Sequence, residues 1–147
     1  MNHDPSCIGF ISTRFAGTDG VSLETEKWCA ILEELGHRCF YFAGECDRPD
    51  ERCYVVPEAH FQHPRIQAVN VDLFDDYVRQ PETSEEVSQL KALLKDHLYR
   101  FMEQFSPDLL VVENAFAIPM NVPLGLALME VIAETHIPTI GHHHDFA

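Results

Sequence analysis

The sequence predicts an α/β domain, a mainly parallel sheet flanked by helices. Three observations carry that prediction. Short apolar runs of strand length alternate with stretches of helical periodicity along the chain. The run Asp108 to Asn114 (DLLVVEN) has a continuous apolar centre, as a parallel strand covered on both faces must have. A length of 147 residues with 46% apolar content suits one domain with a core of ordinary size, and the 10% aromatic share argues against disorder.

Ser6 to Thr13 (SCIGFIST) is a short apolar run ending in small polar residues, which reads as a buried strand. Phe15-Ala16-Gly17-Thr18-Asp19-Gly20 follows as a loop, its glycines permitting backbone angles closed to other residues. Ser22 then has the chemistry of an N-cap, with Glu24 and Glu26 where the helix dipole favours negative charge. Trp28, Ile31, Leu32 and Leu35 recur at helical spacing and are the expected buried face, with Gly36 as the C-terminal stop. Arg38 to Ala43 (RCFYFA) reads as the second strand and Cys53 to Pro57 (CYVVP) as the third.

From Glu58 to Pro81 no clean period emerges, and Asp72, Asp75 and Asp76 read as a solvated acidic face. Thr83 and Glu86 have capping-box spacing. Val87, Leu90, Leu94, Phe101 and Phe105 then form a core stripe that stops at Ser106-Pro107. After the strand DLLVVEN, Pro123 opens a helix carrying Leu124, Leu128, Val131 and Ile132. Pro138 to Gly141 (PTIG) reads as the fifth strand and runs into His142-His143-His144-Asp145.

Charge narrows the function. Ten Lys+Arg against 24 Asp+Glu leave a formal charge of −14, with no run of Lys or Arg to offset it. Phosphate backbones and anionic lipid repel such a chain, so nucleic acid is not an expected partner. The N-terminus lacks the positive segment of a signal peptide, and Pro119, Asn121, Pro123 and Gly125 interrupt the longest uncharged stretch. Five cysteines without a CxxC pair predict buried, reduced thiols in a cytoplasmic protein.

Ligands of open parallel sheets bind beyond the carboxyl ends of the strands, where three polar clusters fall. The first is the glycine loop, which matches neither GxGxxG nor GxxxxGK[ST]. Its glycines and the following helix N-terminus suit an anion, while the plainer reading is a tight turn. The second is Glu113-Asn114. Glu113 could act as a general base, accept from a substrate hydroxyl, or simply cap its strand. The third is the histidine cluster, for which contact with a polar substrate, metal ligation and incidental surface histidines are all open. A metal set would need His97 or His136 to fold nearby.

In order and spacing, these motifs resemble the N-terminal half-domain of GT-B glycosyltransferases, particularly glycosyltransferase family 4. The resemblance rests on Gly17-Thr18-Asp19-Gly20 with Glu24 beyond it, and on Leu35-Gly36-His37 leading into the second strand. It extends to DLLVVEN and to Pro138-Thr139-Ile140 leading to His144-Asp145. It implies a Rossmann-like domain on the acceptor side of a retaining enzyme that moves a sugar from a nucleotide-sugar donor to an acceptor hydroxyl, with no bound metal or other cofactor. Gly20, with Gly17 before it, would sit by the donor's diphosphate, and Asp19 between them is a further substrate-binding candidate. His144 would contact the donor sugar near the reacting carbon, and Asp145 would support its loop. Glu113, Asn114 and His142 would line the substrate side, although Glu113-Asn114 stands where relatives often carry histidine. Thr18-Asp19 separates glycines that many relatives have adjacent.

The resemblance also implies that residues 1–147 are a truncated domain lacking the donor-binding C-terminal domain. The expectation is binding without turnover, and self-association through the apolar surface where that domain would dock. Two rival readings stay open: a metal-dependent hydrolase using His142, His144, Asp145 and Glu113, and a non-catalytic flavodoxin-like binding module.

Overall fold

A computed structural model describes residues 6–17, 20–75, 81–113 and 121–142. Among these, five strands form one sheet: β1 (Cys7–Ile11), β2 (Arg38–Ala43), β3 (Cys53–Val55), β4 (Leu109–Glu113) and β5 (Thr139–His142). They lie in the order β3-β2-β1-β4-β5, and every neighbouring pair is parallel. The α/β, Rossmann-like arrangement expected from the sequence is therefore present. Strand order reverses between β1 and β4, the switch point beyond which open sheets of this kind bind ligands.

Alternation along the strands builds two cores. Ile8, Phe10, Cys39 and Tyr41 point to the face crossed by α1 (Gly20–Glu34), where Phe15 and Cys29 join them. Ile11, Phe40, Phe42, Leu110 and Val112 point the other way, beneath α3 (Pro81–Phe105) and α4 (Val122–Thr135). Gly9 lies under Phe101, whose ring would stand 3.0 Å from a Cβ at that position. The predicted stripe of α3 is buried at Val87, Leu90, Leu94 and Phe101, with Leu98 filling the turn between them. Leu124, Leu128 and Val131 of α4 face the same core.

Four expectations need correction. Trp28, Ile31 and Leu35 are 50%, 51% and 69% exposed, while Ser22, Thr25 and Cys29 are the buried positions of α1. The sheet selects the helix face, and three short side chains let α1 lie close to it. Ser22 is inside the first turn rather than at its cap. Its Oγ accepts from the Ala16 N–H at 3.0 Å and donates to the Ala16 carbonyl at 3.2 Å. Thr83 and Glu86 lie within α3, not at its start. Thr83 donates to Asp72 at 3.1 Å and Glu86 accepts from Arg65 at 2.6 Å, which ties α3 to α2 (Pro64–Asp75). That helix is the missed element, held by Ile66, Val69 and the half-buried Leu73 against Val87 and Leu90.

Two helix ends are informative. Gly36 follows α1 at φ +93°, and the His37 N–H returns to the Leu32 carbonyl at 3.0 Å. Asn121 caps α4 by accepting from the Leu124 N–H at 3.0 Å. Its Nδ2 donates to the carbonyls of Glu58 and Ala59, both at 3.0 Å, so one buried side chain joins α4 to the segment after β3.

Candidate functional site

The connection after β1 begins as an extension of the sheet. The Ser12 N–H donates to the Phe42 carbonyl at 3.1 Å, the Gly44 N–H to Thr13 at 2.9 Å and the Phe15 N–H to Glu45 at 2.7 Å. Phe15 bridges Cys46 in parallel register and packs edge-on to Tyr41. The loop after β1 and the connection between β2 and β3 therefore form one paired ledge beyond the sheet.

At the end of the ledge, Gly17 takes φ +76° and its N–H donates to Asp47 Oδ2 at 3.0 Å. Arg48 holds the other carboxylate oxygen at 2.7 Å, donates to the Ser22 carbonyl at 2.8 Å and lies over the Tyr41 ring. A protein carboxylate thus occupies the backbone donor that the sequence reading assigned to a diphosphate. Beside it, Arg14 Nε and His60 Nε2 approach Glu45 Oε1 at 3.2 and 3.3 Å. Gly44, Glu45, Pro57, His60, Gln62 and His63 surround an adjacent open hollow of about 340 Å³.

On the other side of β1, Glu113 ends β4 and is 1% exposed. Its register partner is His142, the last residue of β5. Glu113 shares its sheet face with Leu109 and Val111 and borders a hollow of about 300 Å³. The remaining walls are Ile8, Phe10, Trp28, Leu32 and Ile140, so a buried carboxylate lies at the margin of an almost wholly apolar recess.

Parallel pairing thus places Gly17, Gly20 at the start of α1, Glu113 and His142 along one edge of the sheet. Asp19, Asn114, His144 and Asp145 lie outside the described residues. His97 is tied to Tyr54 of β3 at 2.8 Å, across the sheet from β5. His136 closes α4 ahead of β5, at the opposite end of that strand from His142. Neither lies at the strand end where His142 sits, and among the described residues no group of three His, Cys, Asp or Glu could hold a metal ion. No helix among them is long and apolar enough to cross a membrane.

Sequence reasoning passed over Asp47, Arg48, Arg14 and Glu45. The signal was available in part, because Gly44 to Arg48 (GECDR) is a polar run directly after the second strand. Its significance depends on β2 lying beside β1, which composition does not reveal.

The chain is similar to two curated relatives, both named mannosylglucosylglycerate synthase. It is 27% identical to that of Petrotoga mobilis and 29% identical to that of Thermotoga maritima, each likeness covering 95% of this chain. It spans about a third of their length, 32% and 31% respectively. Both relatives are glycosyltransferases, which is the class of protein to which the likeness points. No family model and no solved structure matches the chain.

Proposed function

We propose that residues 1–147 form the acceptor-side, N-terminal domain of a retaining glycosyltransferase of the GT-B, family 4 type. The whole protein would move a sugar from a nucleotide-sugar donor to an acceptor hydroxyl, with a second domain holding the donor nucleotide. The observation that carries this reading is the likeness to two sugar-transferring synthases along 95% of the chain. The Rossmann-like sheet, with the loops after β1 and β4 on adjacent strands, supports it.

In this reading the N-terminal end of α1 and the Gly17–Gly20 loop face the leaving diphosphate, where backbone donors and the helix dipole stabilise developing negative charge. Asp47 yields the Gly17 N–H when the diphosphate arrives. His144 contacts the donor sugar and Asp145 supports it. Glu113, Asn114 and His142 face the acceptor, with Glu113 receiving a hydrogen bond from its hydroxyl. The relatives' name makes a mannosyl donor and a glucosylglycerate-like acceptor the first pair to try. Residues 1–147 alone would bind acceptor without turnover.

Nucleotide release from a panel of nucleotide sugars tests the reading on the whole protein, with and without chelator, beside His144→Ala, Glu113→Gln and the 1–147 chain. Chelator-resistant release, lost in His144→Ala and absent from the 1–147 chain, is expected. Absence of release on every donor, with metal held tightly by the histidine cluster, would instead favour a hydrolase.

A further inference from the structure

The connection between β2 and β3 is a turn with a thiol at each end. Cys46 stands just before it and Cys53 opens β3, with their Sγ atoms 2.6 Å apart. Cys53 Sγ also lies 3.5 Å from the Arg48 carbonyl. Both thiols are half-buried, whereas Cys29 and Cys39 are sealed in the core under α1. No other pair of cysteines has a sulfur contact of this closeness together with partial access to solvent among the described residues.

What the turn carries gives the pair its significance. Asp47 holds the Gly17 N–H, and the Asp47 N–H returns to the Phe15 carbonyl at 2.9 Å. Arg48 reaches the Ser22 carbonyl in α1 at 2.8 Å, and Arg52 pairs with Glu33 of the same helix. A covalent link across the turn would therefore fasten the support beneath the glycine loop and the start of α1.

We propose that Cys46 and Cys53 are a redox-active pair that closes reversibly into a disulfide and staples this turn. The oxidant is a low-molecular-weight disulfide, for example oxidised glutathione. The Cys46 thiolate attacks one of its sulfurs, that S–S bond breaks, and one glutathione thiolate leaves. The Cys53 thiolate then attacks Cys46 Sγ in the mixed disulfide and releases the second glutathione. Two protein thiols lose two electrons, one glutathione disulfide gains them, and the two thiol protons end on the two glutathiones.

The order of attack follows from the surroundings. Burial raises both thiols, but their mutual hydrogen bond lowers Cys46 and adds to the rise of Cys53, which is pushed up to about 12. Cys46 is therefore the first to ionise. Once it is capped, its charge no longer opposes ionisation of Cys53. Closure is slow at neutral pH and quickens as pH rises.

The test uses the full chain with oxidised glutathione at about pH 8.5, followed by denaturation, alkylation, mass spectrometry and peptide mapping. The expected product is about 2 Da lighter before alkylation, with two of the five thiols then closed to the alkylating agent and Cys46 joined to Cys53. Its unfolding midpoint should rise by roughly 5 °C and fall back on reduction. Cys53→Ser, with folding checked by circular dichroism, should instead stop at one glutathione on Cys46. Retention of all five thiols, glutathione adducts without loss of two hydrogens, or linkage of Cys29 to Cys39 would each overturn the proposal.

Discussion

The backbone N–H of Gly17 donates to the carboxylate of Asp47 across 3.0 Å, joining residues thirty positions apart in the chain. The loop best suited to an external anion thus already holds an internal one. Any diphosphate that uses this donor must displace Asp47 and meet its charge while doing so.

That competition can be measured with inorganic pyrophosphate. Asp47→Asn keeps an acceptor for Gly17 but removes the charge, and also leaves Arg48 without its carboxylate partner. Calorimetric titration should show pyrophosphate binding several-fold tighter in Asp47→Asn than in the unaltered chain, with the gap shrinking in high salt. Equal affinities would show that Asp47 does not guard the donor.

Two glycines at positive φ separate conformational cost from crowding. A Cβ at Gly36 meets nothing within 4 Å, so Gly36→Ala should cost about 1 kcal/mol through the backbone alone. At Gly17 the Cβ would stand 2.8 Å from Arg14 Nη2 as well, and Gly17→Ala should cost about 1–2 kcal/mol. His136 adopts φ 57° without being glycine, so His136→Gly should stabilise by about 0.5 kcal/mol. Urea unfolding of the three variants checks both the signs and the ranking.

Trp28 is the single tryptophan, so its fluorescence reports one place. Half exposed at the rim of the apolar recess, it should emit near the wavelength of a hydrated indole and be readily quenched by acrylamide. Trp28→Gln should change stability by no more than about 1 kcal/mol. A buried tryptophan would cost about 3–5 kcal/mol on truncation to alanine. A blue-shifted, unquenched signal would mean that α1 presents a different face to the sheet.

Alkaline stability follows from the thiols. The ordinary thiol value is 9.0, and Cys53 is raised in the folded chain to about 12, first by burial and then by Cys46. Above pH 9 the unfolded chain releases its proton first, so the stability that Cys53 contributes below that value is lost as pH rises towards 12. Cys46 and Cys7, also raised chiefly by burial, act in the same direction. Thermal midpoints should therefore fall between pH 9 and 11 under reducing conditions, and fall less in Cys53→Ser. An equal fall in both chains would remove Cys53 from the account.

The elements were legible wherever local pattern and tertiary demand agreed. DLLVVEN read as a buried parallel strand because both of its faces are apolar, and α3 read as core because its stripe is unbroken. The helix Pro64–Asp75 was missed although Ile66, Val69 and Leu73 have the right spacing. The exposed Val71 and the polar residues between them blur a stripe that only α3 makes meaningful. Of the candidate site, Glu113 and His142 were legible as strand-end residues, and Gly17 and Gly20 as residues of the loop between β1 and α1. Asp47 and Arg48 were not, because their importance comes from a neighbour in space.

The sequence alone determined the succession of strands, the helices apart from α2, and the parallel sheet, since continuous apolar runs joined by long connections have few other ways to bury both faces. Tertiary structure decided which strand lies beside which, and hence that the loops after β1 and β2 pair while Glu113 meets His142 in register. It also decided that α1 buries Ser22, Thr25 and Cys29 and leaves Trp28 outward. Period and composition describe one segment at a time. The choice of helix face, and of the carboxylate that takes a backbone donor, depends on what distant segments place within reach.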